Sequence, residues 1–137
     1  MYTIKQKCRV EAAHQLPKHE GKCKNLHGHS YAIEVELCFE NGTNKKDGMF
    51  VDFGDIKQAV DTFDHCFLNE HRGFKSFING SILLNDLETT AENFSKVIWH
   101  EVFSMIKSKK YASPVFIKVT VREGLGAHWV TYESSCS

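Results

Sequence analysis

Three histidines and a cysteine within the first thirty residues carry the strongest chemical signal in the chain. His27-Gly28-His29 sets two imidazoles at i and i+2, which project to the same side of an extended strand. His14 ends an earlier run in which the even positions Ile4, Cys8, Val10 and Ala12 are apolar or small. Pairing these runs as consecutive antiparallel strands brings the end of the first beside the start of the second, so three imidazoles meet at one rim of a sheet. Three neutral imidazoles suit zinc, and a site with three protein ligands keeps a fourth position open for water or substrate, as catalytic sites do. Iron, nickel or copper takes the same nitrogens, so zinc follows from ligand type and not from spacing.

Cys23 lies four residues before His27, between Lys22 and Lys24, in the loop that joins the two ligand-bearing runs. A nearby dication and two lysines favour thiolate there, and a thiolate can take a proton from a group held on the metal. The competing reading makes Cys23 a fourth ligand that closes a CysHis3 site. Asp64-His65 pairs a carboxylate with an imidazole whose tautomer it can hold; a surface pair at a helix end is the plainer alternative. Glu123 follows the alternating apolar row Val115, Ile117, Val119, Val121, which aims its carboxylate toward the core. A buried carboxylate needs a partner, and a ligand with two neighbouring N–H donors would serve; an exposed strand-end glutamate is the alternative. His19, His71, His100 and His128 have no assigned role, and His100 is expected to be exposed.

The elements that must position these groups follow from periodicity. Residues 2–13 alternate as a strand and 15–26 form a loop. Residues 29–40 form a second strand, with Tyr31, Ile33, Val35, Leu37 and Phe39 on one face and Glu34, Glu36 and Glu40 on the other. Asn41-Gly42 begins a turn, and 48–53 is short and extended. A helix runs from Asp52 or Gly54-Asp55 to about Phe63, residues 64–86 are mostly irregular, and a longer helix spans about Thr90–Ser108. Thr89 or Thr90 can cap it, and Phe94, Val97, Ile98, Val102, Met105 and Ile106 recur at helical spacing. Strands at 115–121 and 127–133 complete a β-β-α-α-β-β order. That order predicts an α+β fold, a four-stranded antiparallel sheet with two helices on one face.

Composition narrows the function classes. The 137 residues suit one domain over 1–137. Seventeen basic residues balance seventeen acidic ones, which gives no global footprint for nucleic acid or an anionic membrane. No apolar run is long enough to span a bilayer, and the first residues lack a signal peptide's apolar core, so a cytoplasmic protein is expected. The five cysteines, an odd number without disulfide-like spacing, fit reduced thiols.

Seven segments, in order along the chain, read Val10-Glu11-Ala12-Ala13-His14, Gly21-Lys22-Cys23, Leu26-His27-Gly28-His29, Gly48-Met49-Phe50-Val51-Asp52-Phe53, Asp64-His65-Cys66-Phe67-Leu68-Asn69, Thr90-Ala91-Glu92-Asn93 and Glu123. Together they make the sequence resemble the family of 6-carboxytetrahydropterin and 6-pyruvoyltetrahydropterin synthases. The resemblance implies the tunnelling fold (T-fold), in which sheets of several subunits close into a barrel, and a homohexamer of two trimers with sites at subunit interfaces. It implies zinc on His14, His27 and His29, proton transfer by Cys23 and by Asp64 with His65, and Glu123 gripping the pterin's amino edge and joining the proton relay. It also implies Thr90 at the pterin pocket. The three residues between Cys23 and His27 match the shorter spacing of the carboxy-forming branch. The expected reaction therefore takes 7,8-dihydroneopterin 3'-triphosphate to 6-carboxy-5,6,7,8-tetrahydropterin, acetaldehyde and triphosphate, early in queuosine and 7-deazapurine biosynthesis. Lys18, Lys22 or Lys24 would meet the triphosphate.

The chain departs from the family at Gly124, where threonine is usual after the glutamate, at Thr89, where proline is common, and in the tail Gly124-Leu125-Gly126-Ala127-His128-Trp129. These positions touch the pterin pocket and not the metal. Three other functions compete: a pyruvoyl-forming or sepiapterin-cleaving relative, a metal- or pterin-binding protein without catalysis, and a hydrolase using Cys23 with His65.

Overall fold

Alternation of apolar and polar residues over thirteen positions makes each of the first two elements a long strand, and their polar faces are matched in charge. Strand β1 (Tyr2–His14) pairs antiparallel with β2 (His27–Phe39), with Val10 opposite Tyr31, Ala12 opposite His29 and His14 opposite His27. On the polar face Lys5 and Lys7 lie 3.6–3.8 Å from Glu34 and Glu36. The computed structural model describes residues 1–75, 77–78, 81–82 and 87–137. Helix α1 (Phe53–Asp61) starts at Asp52, whose side chain accepts from the Gly54 amide. After it come β3 (Cys66–Phe67) and a two-stranded ladder of β4 (Phe77–Ile78) and β5 (Ser81–Ile82). Helix α2 (Ala91–Ser108) is capped by Thr90, whose hydroxyl accepts from the Asn93 amide. Strands β6 (Phe116–Glu123) and β7 (Trp129–Ser135) close the chain.

The main sheet has the order β3-β1-β2-β6-β7. Its four long strands are antiparallel, as alternation predicts; β3 adds a two-residue parallel edge against Ala12 and Ala13. Both helices cover one face, where Val10, Tyr31, Ile33, Val35, Leu37, Ile117, Val119 and Val121 pack against Ile56, Val60, Phe94, Ile98 and Val102. Strand starts differ from expectation in three places. β2 begins at His27, because pairing with His14 extends the hairpin two residues. Val115 lies outside its strand and is exposed, so the buried row starts at Ile117. β7 starts at Trp129 because the turn through Gly124, with φ of +60°, delays the pairing. Residues 64–86 hold short 3-10 turns and two-residue strands as far as they are described; 76, 79, 80 and 83–86 lie outside the described residues.

Candidate functional site

The register of β1 against β2 puts His14 and His27 directly across from one another, with His29 one step along the same face. Their ring centroids are 4.5–5.1 Å apart, and one ring nitrogen of each lies within 4.8 Å of the others. His14 Nδ1 lies 2.7 Å from the Thr89 carbonyl, and His27 Nδ1 lies 2.7 Å from the Asn25 carbonyl. A carbonyl only accepts, so each Nδ1 carries a proton, and a ring without a second proton presents a bare Nε2. Those two Nε2 atoms face each other at 3.0 Å. Two lone pairs at that distance repel unless a proton or a metal ion is shared between them. His29 Nε2 is buried without a hydrogen-bond partner among the described residues. A tetrahedral ion with bonds of about 2.0–2.1 Å separates its nitrogen ligands by about 3.3 Å. The donor set therefore fits one divalent ion on His14, His27 and His29, with carbonyl partners that fix the tautomers. Cys23 is not part of this group.

Burial holds His14 below the ordinary 6.5, against the opposing pull of the Thr89 carbonyl. The folded chain then takes up a proton less readily than the unfolded one. Stability from neutral His14 is complete above pH 6.5 and is lost as pH falls below it toward the lower folded value. The melting temperature of metal-free protein is expected to fall as pH drops below about 6.5, more steeply than in His14→Asn. A flat profile, or an identical slope in the variant, would contradict this.

A bracket of polar groups holds the rim. The Asn69 side chain accepts from the Gln15 amide at 3.0 Å and donates to the Gln15 carbonyl at 2.9 Å. The buried Thr89 hydroxyl lies 3.2 Å from Asn69 Oδ1. This ties the end of β1 to the segment that supplies the carbonyl for His14. Sequence reading misses Asn25 and Thr89 in this role, because a backbone carbonyl leaves no side-chain signature.

Cys23 sits half-buried in a 3-10 turn over Lys22–Lys24, and its carbonyl accepts from the Leu16 amide at 2.8 Å. Lys22 and Lys24 are exposed, and Lys18 lies 3.7 Å from Glu88. Glu123, at the end of β6, stands opposite Tyr31 with Oε2 3.9 Å from His29 Nε2, too long for a hydrogen bond. Glu123 and Thr90 line one cavity of about 330 Å³ with Leu16, His128 and Trp129. The Tyr31 hydroxyl is buried and unpartnered among the described residues, an arrangement that costs about 1–3 kcal/mol. Burial raises its pKa, and Glu123 and Cys23 raise it further.

Asp64 and His65 stand elsewhere in the chain, beside the outer edge of β1. Asp64 Oδ1 accepts from the Glu11 amide at 2.9 Å and Oδ2 lies 2.9 Å from His65 Nδ1. The Glu11 bond, then the His65 bond, hold the Asp64 carboxyl below its ordinary value. His65 has φ of +59° and its amide donates to the Glu11 carbonyl. Its side chain is 80% exposed and its described bonds reach none of the three histidines, although it shares a shallow cleft of about 510 Å³ with His29 and Ser30. His100 is exposed on α2.

Residues 3–135 match the family described as 6-pyruvoyl tetrahydropterin synthase. A 6-carboxy-5,6,7,8-tetrahydropterin synthase of Synechocystis sp. is 40% identical over 83 residues, 56% of this chain and 64% of that protein. One from Haemophilus influenzae is 31% identical over 118 residues, 74% of this chain and 82% of that protein. A solved structure of Plasmodium vivax 6-pyruvoyltetrahydropterin synthase superposes with a TM-score of 0.60 at 18% identity, over 98% of this chain and 99% of that one.

Proposed function

The chain belongs to the 6-pyruvoyl tetrahydropterin synthase family, and from that premise we propose that it is a zinc-dependent lyase of pterin triphosphates. In this reading 7,8-dihydroneopterin 3'-triphosphate and water become 6-carboxy-5,6,7,8-tetrahydropterin, acetaldehyde and triphosphate, in queuosine and 7-deazapurine biosynthesis in the cytoplasm. The observation that carries the reading is the convergence of three imidazoles, two of them held by backbone carbonyls with bare Nε2 atoms 3.0 Å apart. Names of relatives support the carboxy-forming branch.

A zinc ion on His14, His27 and His29 would supply Lewis-acid polarisation of the substrate's side-chain oxygens. Glu123 would accept two neighbouring N–H groups of the pterin, fixing the ring in the cavity it shares with Thr90. The Cys23 thiol would take a proton at the side chain. Asp64 holds His65 Nδ1–H, which leaves Nε2 free to exchange the second proton. The exposure of His65 and its place at the far edge of β1 support a site completed by another copy of the chain. In that assembly, a hexamer of two trimers, single domains over 1–137 would join sheets into a barrel. Its lining would be the helix-free face that carries Lys5, Lys7, Glu34, Glu36 and Lys118.

Product analysis tests the reading. Equimolar acetaldehyde and 6-carboxytetrahydropterin support it. Triphosphate loss with all side-chain carbons retained supports the pyruvoyl-forming alternative, which the name of the Plasmodium neighbour favours. Alanine at Lys18, Lys22 and Lys24 together is expected to raise KM for the triphosphate by about tenfold with kcat little changed; an unchanged KM removes these lysines from the triphosphate site.

A further inference from the structure

Tyr31 follows His29 on the same face of β2 and lies opposite Glu123 on β6. Its ring is held by His29, His14 and Phe94, with centroids 5.4, 6.1 and 5.0 Å away, and the residue is 1% exposed. Three buried side-chain polar atoms among the described residues lack a partner, and His29 Nε2 and Tyr31 Oη are two of them. A metal ion would satisfy the first and does nothing for the second. The ring is clamped, so the hydroxyl cannot swing to find a protein acceptor. Across the sheet Tyr31 stands opposite Glu123 and along β2 it packs on His29, so it belongs to the strand pair that carries both groups. A phenylalanine would fill the same space and bury no orphaned oxygen.

We propose that the Tyr31 hydroxyl donates a hydrogen bond to the bound substrate. The contact falls at the junction between the ring that Glu123 would hold and the side chain that the histidine-bound ion would hold. Tyr31 is then a specificity residue, favouring ligands with a nitrogen or oxygen acceptor at that junction, because a site with a committed polar group rejects analogues that leave it unpaired. The assignment rests on the pterin-lyase reading above.

The test is Tyr31→Phe in the metal-loaded protein, read by metal content, melting temperature, neopterin binding by fluorescence titration, and kcat and KM separately. The expected variant keeps one metal per chain and melts at or above the parent's temperature. It binds neopterin about tenfold more weakly, and kcat/KM falls by a similar factor or more. Binding and kcat/KM within about twofold of the parent in a folded, metal-loaded variant overturn the assignment. So does a lower melting temperature with unaltered neopterin affinity, which would mean that the hydroxyl bonds within the protein. A parent that neither binds neopterin nor turns over the triphosphate sinks the lyase reading itself, a distinct outcome. Should the variant fold poorly, 3-fluorotyrosine at position 31 gives the answer in the parent background. Its fluorine resonance is expected to shift on neopterin addition, and a stationary resonance under saturation overturns the assignment.

Discussion

Replacing His29 with alanine is expected to abolish stoichiometric metal binding and lower turnover by at least about 10³-fold, since Lewis-acid stabilisation is worth several kcal/mol. The fold should survive. His29 is at the rim of the sheet and its Nε2 has no hydrogen bond to lose among the described residues. Removing the ring also relieves the crowding of three imidazoles whose nitrogens lie within 4.8 Å. Metal analysis after exhaustive dialysis, together with far-UV circular dichroism, checks both halves. Full metal occupancy in the variant would show that the other two histidines and a different group hold the ion, and the proposed donor set would be wrong.

Cys23→Ala carries the second large effect: kcat is expected to fall by about 10²- to 10⁴-fold, the range of a lost proton-transfer group, with metal content and pterin affinity unchanged. The separation of these readouts follows from the geometry. Cys23 lies outside the group of ligand atoms formed by the three histidines, and its place in the Lys22–Lys24 turn is held by backbone bonds that alanine keeps. Cys8 serves as an internal control for thiol chemistry. Burial, then Asp61, pushes its thiol up to about 11, so Cys8→Ala should leave turnover alone. If metal departs along with the Cys23 sulfur, the thiol is a ligand and the open-site reading fails.

Much of this site could be read from residue types because strands impose a strict parity. His14, His27 and His29 lie on the even and odd faces that also carry Val10, Ala12, Tyr31 and Ile33, and antiparallel pairing of adjacent strands allows one arrangement of those faces. The same parity put Glu123 on the core side, where β6 sets it beside His29. What stayed hidden depends on contacts without local periodicity. Tyr31 in a row with Ile33 and Val35 reads as core, and only the packed structure shows its hydroxyl without a partner. The Thr89 and Asn25 carbonyls that orient the imidazoles are backbone atoms, the first 75 residues from its target. Strand β3 spans two residues, too few for alternation to register. The anchoring of Asp64 and His65 against β1 comes from a left-handed residue and a long-range bond to Glu11, neither of which a dipeptide reveals.

X-ray absorption at the metal edge of purified protein tests the metal geometry most directly. The predicted spectrum has three imidazole nitrogens and one oxygen at about 2.0–2.1 Å and no sulfur. A sulfur shell near about 2.3 Å, or protein that holds no stoichiometric transition metal, would contradict it.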